Sequence, residues 1–147
     1  MRGRCGFSLM ELLVVLFILS LLTALVAPSF SRTLLSGRMR TCTAEVRATL
    51  ARARSHAVAE GRVRFVVFHL EEGKYGLDND TVLREFSDPV RFGSFMVGGE
   101  EILEATARVR FYPDGTAEEA EISIDSGDGG TLRVRTDPLT GIVEAVQ

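Results

Sequence analysis

An apolar run near the start of the chain constrains it more than any other feature. Residues 12–27 read Leu-Leu-Val-Val-Leu-Phe-Ile-Leu-Ser-Leu-Leu-Thr-Ala-Leu-Val-Ala, without a charge and with only Ser20 and Thr23 polar. Extended back to Phe7, the run spans 21 residues broken only by Glu11. A helix needs about 20 apolar residues to cross roughly 30 Å of hydrocarbon, so the run predicts a transmembrane helix over residues 7–28. Arg2 and Arg4 precede it and bias that end toward the cytoplasm, but Arg32, Arg38 and Arg40 follow, so charge alone leaves the orientation open. Glu11 is the anomaly. A charge at the centre of an inserting helix costs on the order of 2.5–3.5 kcal/mol. The Leu, Ile, Val and Phe residues, at roughly −0.3 to −0.6 kcal/mol each, offset that cost. The helix can insert, and its carboxylate is left in want of a partner.

Three readings compete for this segment. A secretory signal peptide cut after Ala27 would place Leu25 where a small residue is preferred and Pro28 just after the cut. A plain signal anchor leaves Glu11 unexplained. The third reading is a resemblance. Gly6-Phe7-Ser8-Leu9-Met10-Glu11 resembles the type III (class III) signal of type IV pilins and type II secretion pseudopilins. The resemblance implies a leader, residues 1–6, that a prepilin peptidase removes between Gly6 and Phe7, followed by N-methylation of Phe7. Glu11 then becomes the fifth mature residue, with the free amine of its own or a neighbouring subunit's Phe7 as its partner. Pro28 becomes the 22nd; it removes a backbone hydrogen bond and is expected to kink the helix as it leaves the bilayer.

From residue 29 to about residue 61 the pattern becomes amphipathic. Leu35, Met39, Cys42, Val46, Leu50, Ala53 and Ala57 recur at spacings of three and four, and Gly61 stands where a helix would end. The arginines from Arg38 to Arg54 read first as a solvated face and second as a contact for lipid headgroups. Cys42 reads as a small buried side chain. Cys5 lies on the other side of the apolar run, so no disulfide joins the two and no metal-ligand spacing exists.

Residues 62–147 read as an antiparallel β domain, a meander in one or two sheets packed on the helix. Residues 62–70 (RVRFVVFHL) are apolar on both faces and predict a central strand with a layer on each side. Further strands are expected over 74–77, 82–86 and 90–97, with a polar loop over 100–104. Ala107, Val109 and Phe111 then alternate inward against Arg108 and Arg110 outward, and Ile122, Ile124, Leu132 and Val134 point inward from later strands. Residues 141–146 close the sheet. The turns are Pro113-Asp114-Gly115 and residues 125–130 and 137–141.

The exit Ala27-Pro28-Ser29-Phe30, the stretch Phe111-Tyr112-Pro113-Asp114-Gly115 and the late Gly141 are similar to the GspH/FimT group of minor pseudopilins and minor type IV pilins. That group implies an α+β fold, a long transmembrane and amphipathic helix on an antiparallel β-sheet domain. It also implies a single-pass inner-membrane protein with its β domain in the periplasm. The implied partners are the prepilin peptidase/N-methyltransferase, other pseudopilins through the amino-terminal helix, and the inner-membrane secretion platform. No cysteine pair closes a carboxy-terminal loop as in many major pilins, and the end Val-Glu-Ala-Val-Gln lacks the basic motif of DNA-binding FimT-like proteins.

The sequence carries no catalytic, phosphate-binding or dinucleotide motif, and His56 and His69 have no Cys or His at ligand spacing. No enzyme activity, cofactor or metal is expected, although the acidic turns at 78–80 and 125–128 leave calcium open. Residues 1–64 carry a net +7 and residues 65–147 a net −10, which argues against nucleic-acid binding by the β half. The expected role is a minor pseudopilin of a type II secretion pseudopilus. The alternatives are a FimT-like minor type IV pilin in pilus assembly or DNA uptake, and a signal-anchored periplasmic binding domain that never polymerises.

Overall fold

The computed structural model describes residues 8–146, the side chains of 24–35 excepted. Gly6 and Phe7 lie outside the described residues. Pro28 lies within the helix, and its side chain is among those not described. Helix α1 runs over Leu9–Glu60 and is followed by nine strands. The chain divides into two compact units, Met1–Leu35 and Ser36–Gln147.

In the second unit, α1 contributes the face that its spacing foretells. Val46, Leu50, Ala53 and Ala57 are fully buried, Met39 nearly so, and Cys42 half-buried. Burial raises the Cys42 thiol above its ordinary range, with Glu45 adding to the shift, as suits an inert packing side chain. Thr43 and Thr49 are also buried, which the apolar count missed. Their hydroxyls donate to the carbonyls of Met39 (2.8 Å) and Glu45 (3.0 Å). After the helix, Gly61 adopts a φ of 64°, the left-handed conformation that ends helices.

The strands are β1 (Arg64–His69), β2 (Lys74–Leu77), β3 (Arg84–Glu85), β4 (Val90–Val97), β5 (Glu100–Glu101), β6 (Thr106–Phe111), β7 (Ala120–Ser126), β8 (Thr131–Thr136) and β9 (Val143–Val146). They form two antiparallel sheets, ordered β3-β2-β1-β6 and β5-β4-β7-β8-β9. This is the α+β arrangement, a long helix on antiparallel sheets, that the resemblance implies. The order corrects the expected meander. β6 returns across the intervening strands to pair with β1, Val66 opposite Val109, and β7 returns to pair with β4, Phe95 opposite Ile122. Alternation reports a strand's faces but not its neighbours, so the crossovers leave no local mark. The polar loop expected over 100–104 begins with the short edge strand β5.

β1 is central, as its composition implies, but it is covered on one face only. Val66 and Phe68 are buried, whereas Phe65 and Val67 are half-buried. Arg108 lies over the Phe65 ring, 5.5 Å from its centroid, so a long side chain covers the outer face where a further layer was expected. Aromatic rings tie the two sheets together. Phe68 of β1 packs 5.0 Å from Phe95 of β4, and Phe92 of β4 lies 4.5 Å from Phe86, which in turn packs 5.3 Å from Tyr75 of β2.

Leu50 sits at the centre of the helix face. Leu50→Ala is expected to lower the unfolding free energy of the second unit by about 2–5 kcal/mol. Chemical denaturation of the full chain in detergent, followed by far-ultraviolet circular dichroism, checks this.

Candidate assembly site

The amino-terminal part of α1 presents an apolar surface. Met10, Leu12, Leu13, Leu16, Phe17, Ile18, Leu19, Leu21 and Leu22 are all exposed, Phe17 at 67%. Its two hydroxyls do not interrupt the surface. Ser20 Oγ donates to the Phe17 carbonyl and Thr23 Oγ1 to that of Leu19, each at 2.8 Å, so both are satisfied within the helix. Among the described residues no helix is long and apolar enough to cross a membrane. The sequence run continues past Thr23, where the described side chains stop.

Glu11 occupies the first turn. Its amide and that of Leu12 donate to the Ser8 carbonyl, at 3.0 and 3.1 Å. A carboxylate in a first turn is favoured by the unpaired amides and dipole of the helix end. Ser8 and Glu11 also stand at the spacing of a helix capping box, a signal that the sequence reading passed over. The Glu11 carboxylate has no cation within ion-pair distance among the described residues. Its expected partner, the Phe7 amine, lies outside them.

The second unit engages its arginines in a different task. The turn at Gly115 (φ 88°) and the loop before β9 converge on Arg54, whose Nε donates to the carbonyls of Gly115 (3.1 Å) and Thr140 (2.9 Å). Gly141, at φ 62°, closes this joint, and a Cβ there would fall 2.3 Å from the Gly115 carbonyl oxygen. The Pro113-Asp114-Gly115 turn and Gly141, separate signals in the sequence, are thus two sides of one contact. Arg52 pairs with Asp80. Arg64, buried at the start of β1, donates to Asp78 Oδ1 (3.0 Å) and reaches Glu60. Arg52 and Arg54 therefore correct the reading of a wholly solvated arginine face. Arg40 and Arg47 do stand exposed.

These pairs also occupy the first acidic turn. Asp78 and Asp80 face guanidinium groups, and no group of three or more potential metal ligands occurs among the described residues. His56 Nδ1 lies 3.0 Å from Glu60 Oε1, and His69 ends β1 half-buried. Hydrogen bonds from His56 and then Arg62 hold the Glu60 carboxyl at about 2, down from 4.5.

Residues 1–27 match the family model for the prokaryotic N-terminal methylation motif, and residues 43–140 match the model for type II transport protein GspH. The chain is similar in fold to the type IV minor pilin FimU of Pseudomonas aeruginosa. The two are 16% identical with a TM-score of 0.56, over 76% of this chain and 90% of that one. No curated protein matches the sequence.

Two outcomes follow from the joints. Gly141→Ala must hold a strained φ against a carbonyl and Arg54, which is expected to cost on the order of 1–3 kcal/mol and to raise amide exchange across residues 139–143. Glu60 has a folded pKa below its unfolded one, so its contribution is complete above about 4.5 and is lost as pH falls toward about 2. Glu60→Gln is therefore expected to lower stability near neutrality and to flatten the fall between those two values, as read from denaturation midpoints against pH.

Proposed function

The chain belongs to the family of type II transport protein GspH, and from that premise we propose that it is a non-enzymatic minor pseudopilin of a type II secretion system. One observation carries the reading: a helix whose apolar residues face outward all round, with a lone carboxylate in its first turn. Such a surface needs a surrounding that is apolar everywhere except at one cationic point. A bilayer supplies the first and cannot supply the second. A bundle of like helices supplies both, because each brings a free amine once the leader is removed.

On this reading prepilin peptidase cuts between Gly6 and Phe7 and the new terminus at Phe7 is N-methylated. Residues 7–28 hold the subunit in the inner membrane with its start cytoplasmic. Residues 29–61 continue the helix, and residues 62–147 form the periplasmic domain. Glu11 then pairs with the amine of Phe7, its own or a neighbour's, as subunits enter a periplasmic pseudopilus. Pro28 kinks the helix at the membrane exit. The other pseudopilins and the inner-membrane secretion platform are its partners, and its exposed β domain faces the secretion machinery.

A second reading has its own support. The fold likeness is to a minor pilin, FimU, so the subunit also suits the assembly of a type IV pilus. Deleting the gene separates the two: loss of secreted proteins with pili intact supports the pseudopilin, and loss of pili with secretion intact supports the pilin.

Mass spectrometry of protein purified from membranes is expected to show a mature terminus at Phe7, heavier by one methylene. An intact Met1 contradicts the reading. Glu11→Ala is expected to leave membrane insertion unchanged, since it removes a charge, and to reduce recovery in sheared filaments by about tenfold or more, the effect of losing a charge pair in an apolar surrounding. Recovery equal to wild type removes Glu11 from assembly.

A further inference from the structure

The five-stranded sheet is electrically lopsided in a way that the amino-terminal helix does not explain. Its outer face is neutralised in the middle, where Arg133 pairs with Glu121 (3.4 Å) and Arg135 with Glu119 (2.8 Å). Its edges are not. At the β5 edge, Glu100, Glu101 and Glu104 are exposed, and none meets a cation within ion-pair distance among the described residues. Leu103, in the same segment, is 88% exposed. Arg108, near Glu104, is turned instead over the Phe65 ring.

At the β9 edge the sign reverses. A groove of about 360 Å³ runs between helix α1 and the last two strands, with Arg40, Ala44 and Arg47 on one wall and Leu132, Ala145 and Val146 on the other. Arg40 and Arg47 lie two turns apart on one face of α1, are exposed, and meet no carboxylate among the described residues. Glu144, the acid of β9, stands in register with Arg135 on the far face. Between the two guanidinium groups the groove is lined by Thr43, Ala44, Leu132, Ala145 and Val146. The acidic edge presents one aliphatic side chain flanked by carboxylates. The two are complementary in charge and in polarity, and they sit on opposite edges of one sheet, roughly 19 Å apart for five strands. Neither patch can reach the other within one molecule.

We propose that this face is an interface between copies of the chain: Leu103 of one copy enters the groove of the next, with Glu100, Glu101 and Glu104 set against Arg40 and Arg47. Because the patches differ, the contact is head-to-tail and each docked copy leaves a free edge of either sign. It therefore builds a ring or an open chain rather than a two-fold dimer. The contact belongs to the second unit alone and does not depend on the processing of Phe7 or on Glu11.

Cysteine pairing in the full chain in detergent tests it, in a Cys5→Ser, Cys42→Ala background at low ionic strength. Ala44→Cys mixed with Leu103→Cys is expected to give a disulfide-linked pair on oxidation, with little from either variant alone. Arg40→Glu with Arg47→Glu in the Ala44→Cys partner is expected to lower that yield by about tenfold or more, since like charges then face each other. Glu100→Arg with Glu101→Arg in the Leu103→Cys partner is expected to restore it. A mixed pair that fails to form, or whose yield ignores the charge reversals, overturns the proposal. So does a result in which the arginine reversal abolishes only co-sedimentation with phosphatidylglycerol vesicles, which would assign the groove to lipid headgroups. The mature terminus at Phe7 is read separately by mass, so failure of the edge contact leaves the pseudopilin reading standing.

Discussion

The second unit depends on one packing constraint, the burial of a narrow stripe of α1 against both sheets. Val46, Leu50, Ala53 and Ala57 have no accessible surface, and the stripe tapers from Leu50 to two alanines toward the helix end. Alanine lets strand backbone come close, while larger residues would hold it off at native packing density. The buried Thr43 and Thr49 fit the same stripe because each returns its hydroxyl to the helix backbone, leaving no polar group unpaired. The helix thus acts as the core of two sheets that otherwise meet through the ring cluster of Phe68, Tyr75, Phe86, Phe92 and Phe95.

Around that stripe, arginine is a joining residue rather than a solvating one. Arg64 enters the interior on the same face of β1 as Val66 and Phe68, which is tolerable only because Glu60 and Asp78 enclose its guanidinium. Arg52 ties the helix to the β2–β3 turn through Asp80, and Arg54 ties it to the turns before β7 and β9. The planar, multiply donating guanidinium suits this work, since Arg54 alone meets two carbonyls from distant turns.

This division explains what could be read from the sequence. The stripe from Met39 to Ala57 and the alternation at Ala107, Val109 and Phe111 were legible, because burial on one face imposes a period on the residues themselves. The pairing of β6 with β1 and of β7 with β4 was not, because it depends on which edges are free when the chain returns. Phe65 and Val67 misled for a related reason: two apolar faces on one strand imply two layers, yet an arginine stem covers the second. Arg52 and Arg54 were invisible as joints, since their partners lie 28, 61 and 86 residues away in sequence, while Arg64 pairs with Glu60 only four residues back but needs Asp78 as well to be enclosed. At the candidate site, the apolar run, Glu11 and the capping-box spacing of Ser8 and Glu11 are all local and legible in the sequence.

The two units differ in how their groups are satisfied. In the second, the buried hydroxyls of Thr43 and Thr49 return to backbone, Asp78 and Asp80 face arginines, and the histidine nearest a carboxylate serves to lower it, whereas the buried Thr136 hydroxyl has no hydrogen-bond partner. These polar groups are engaged in holding the fold. Among the described residues, the larger unengaged groups lie at surfaces: the outward leucines and Glu11 of the first unit, and the oppositely charged edges of the sheet. An exterior that leaves apolar and charged groups without partners suits contact with neighbouring molecules. That is the physical content of the filament-subunit reading proposed above.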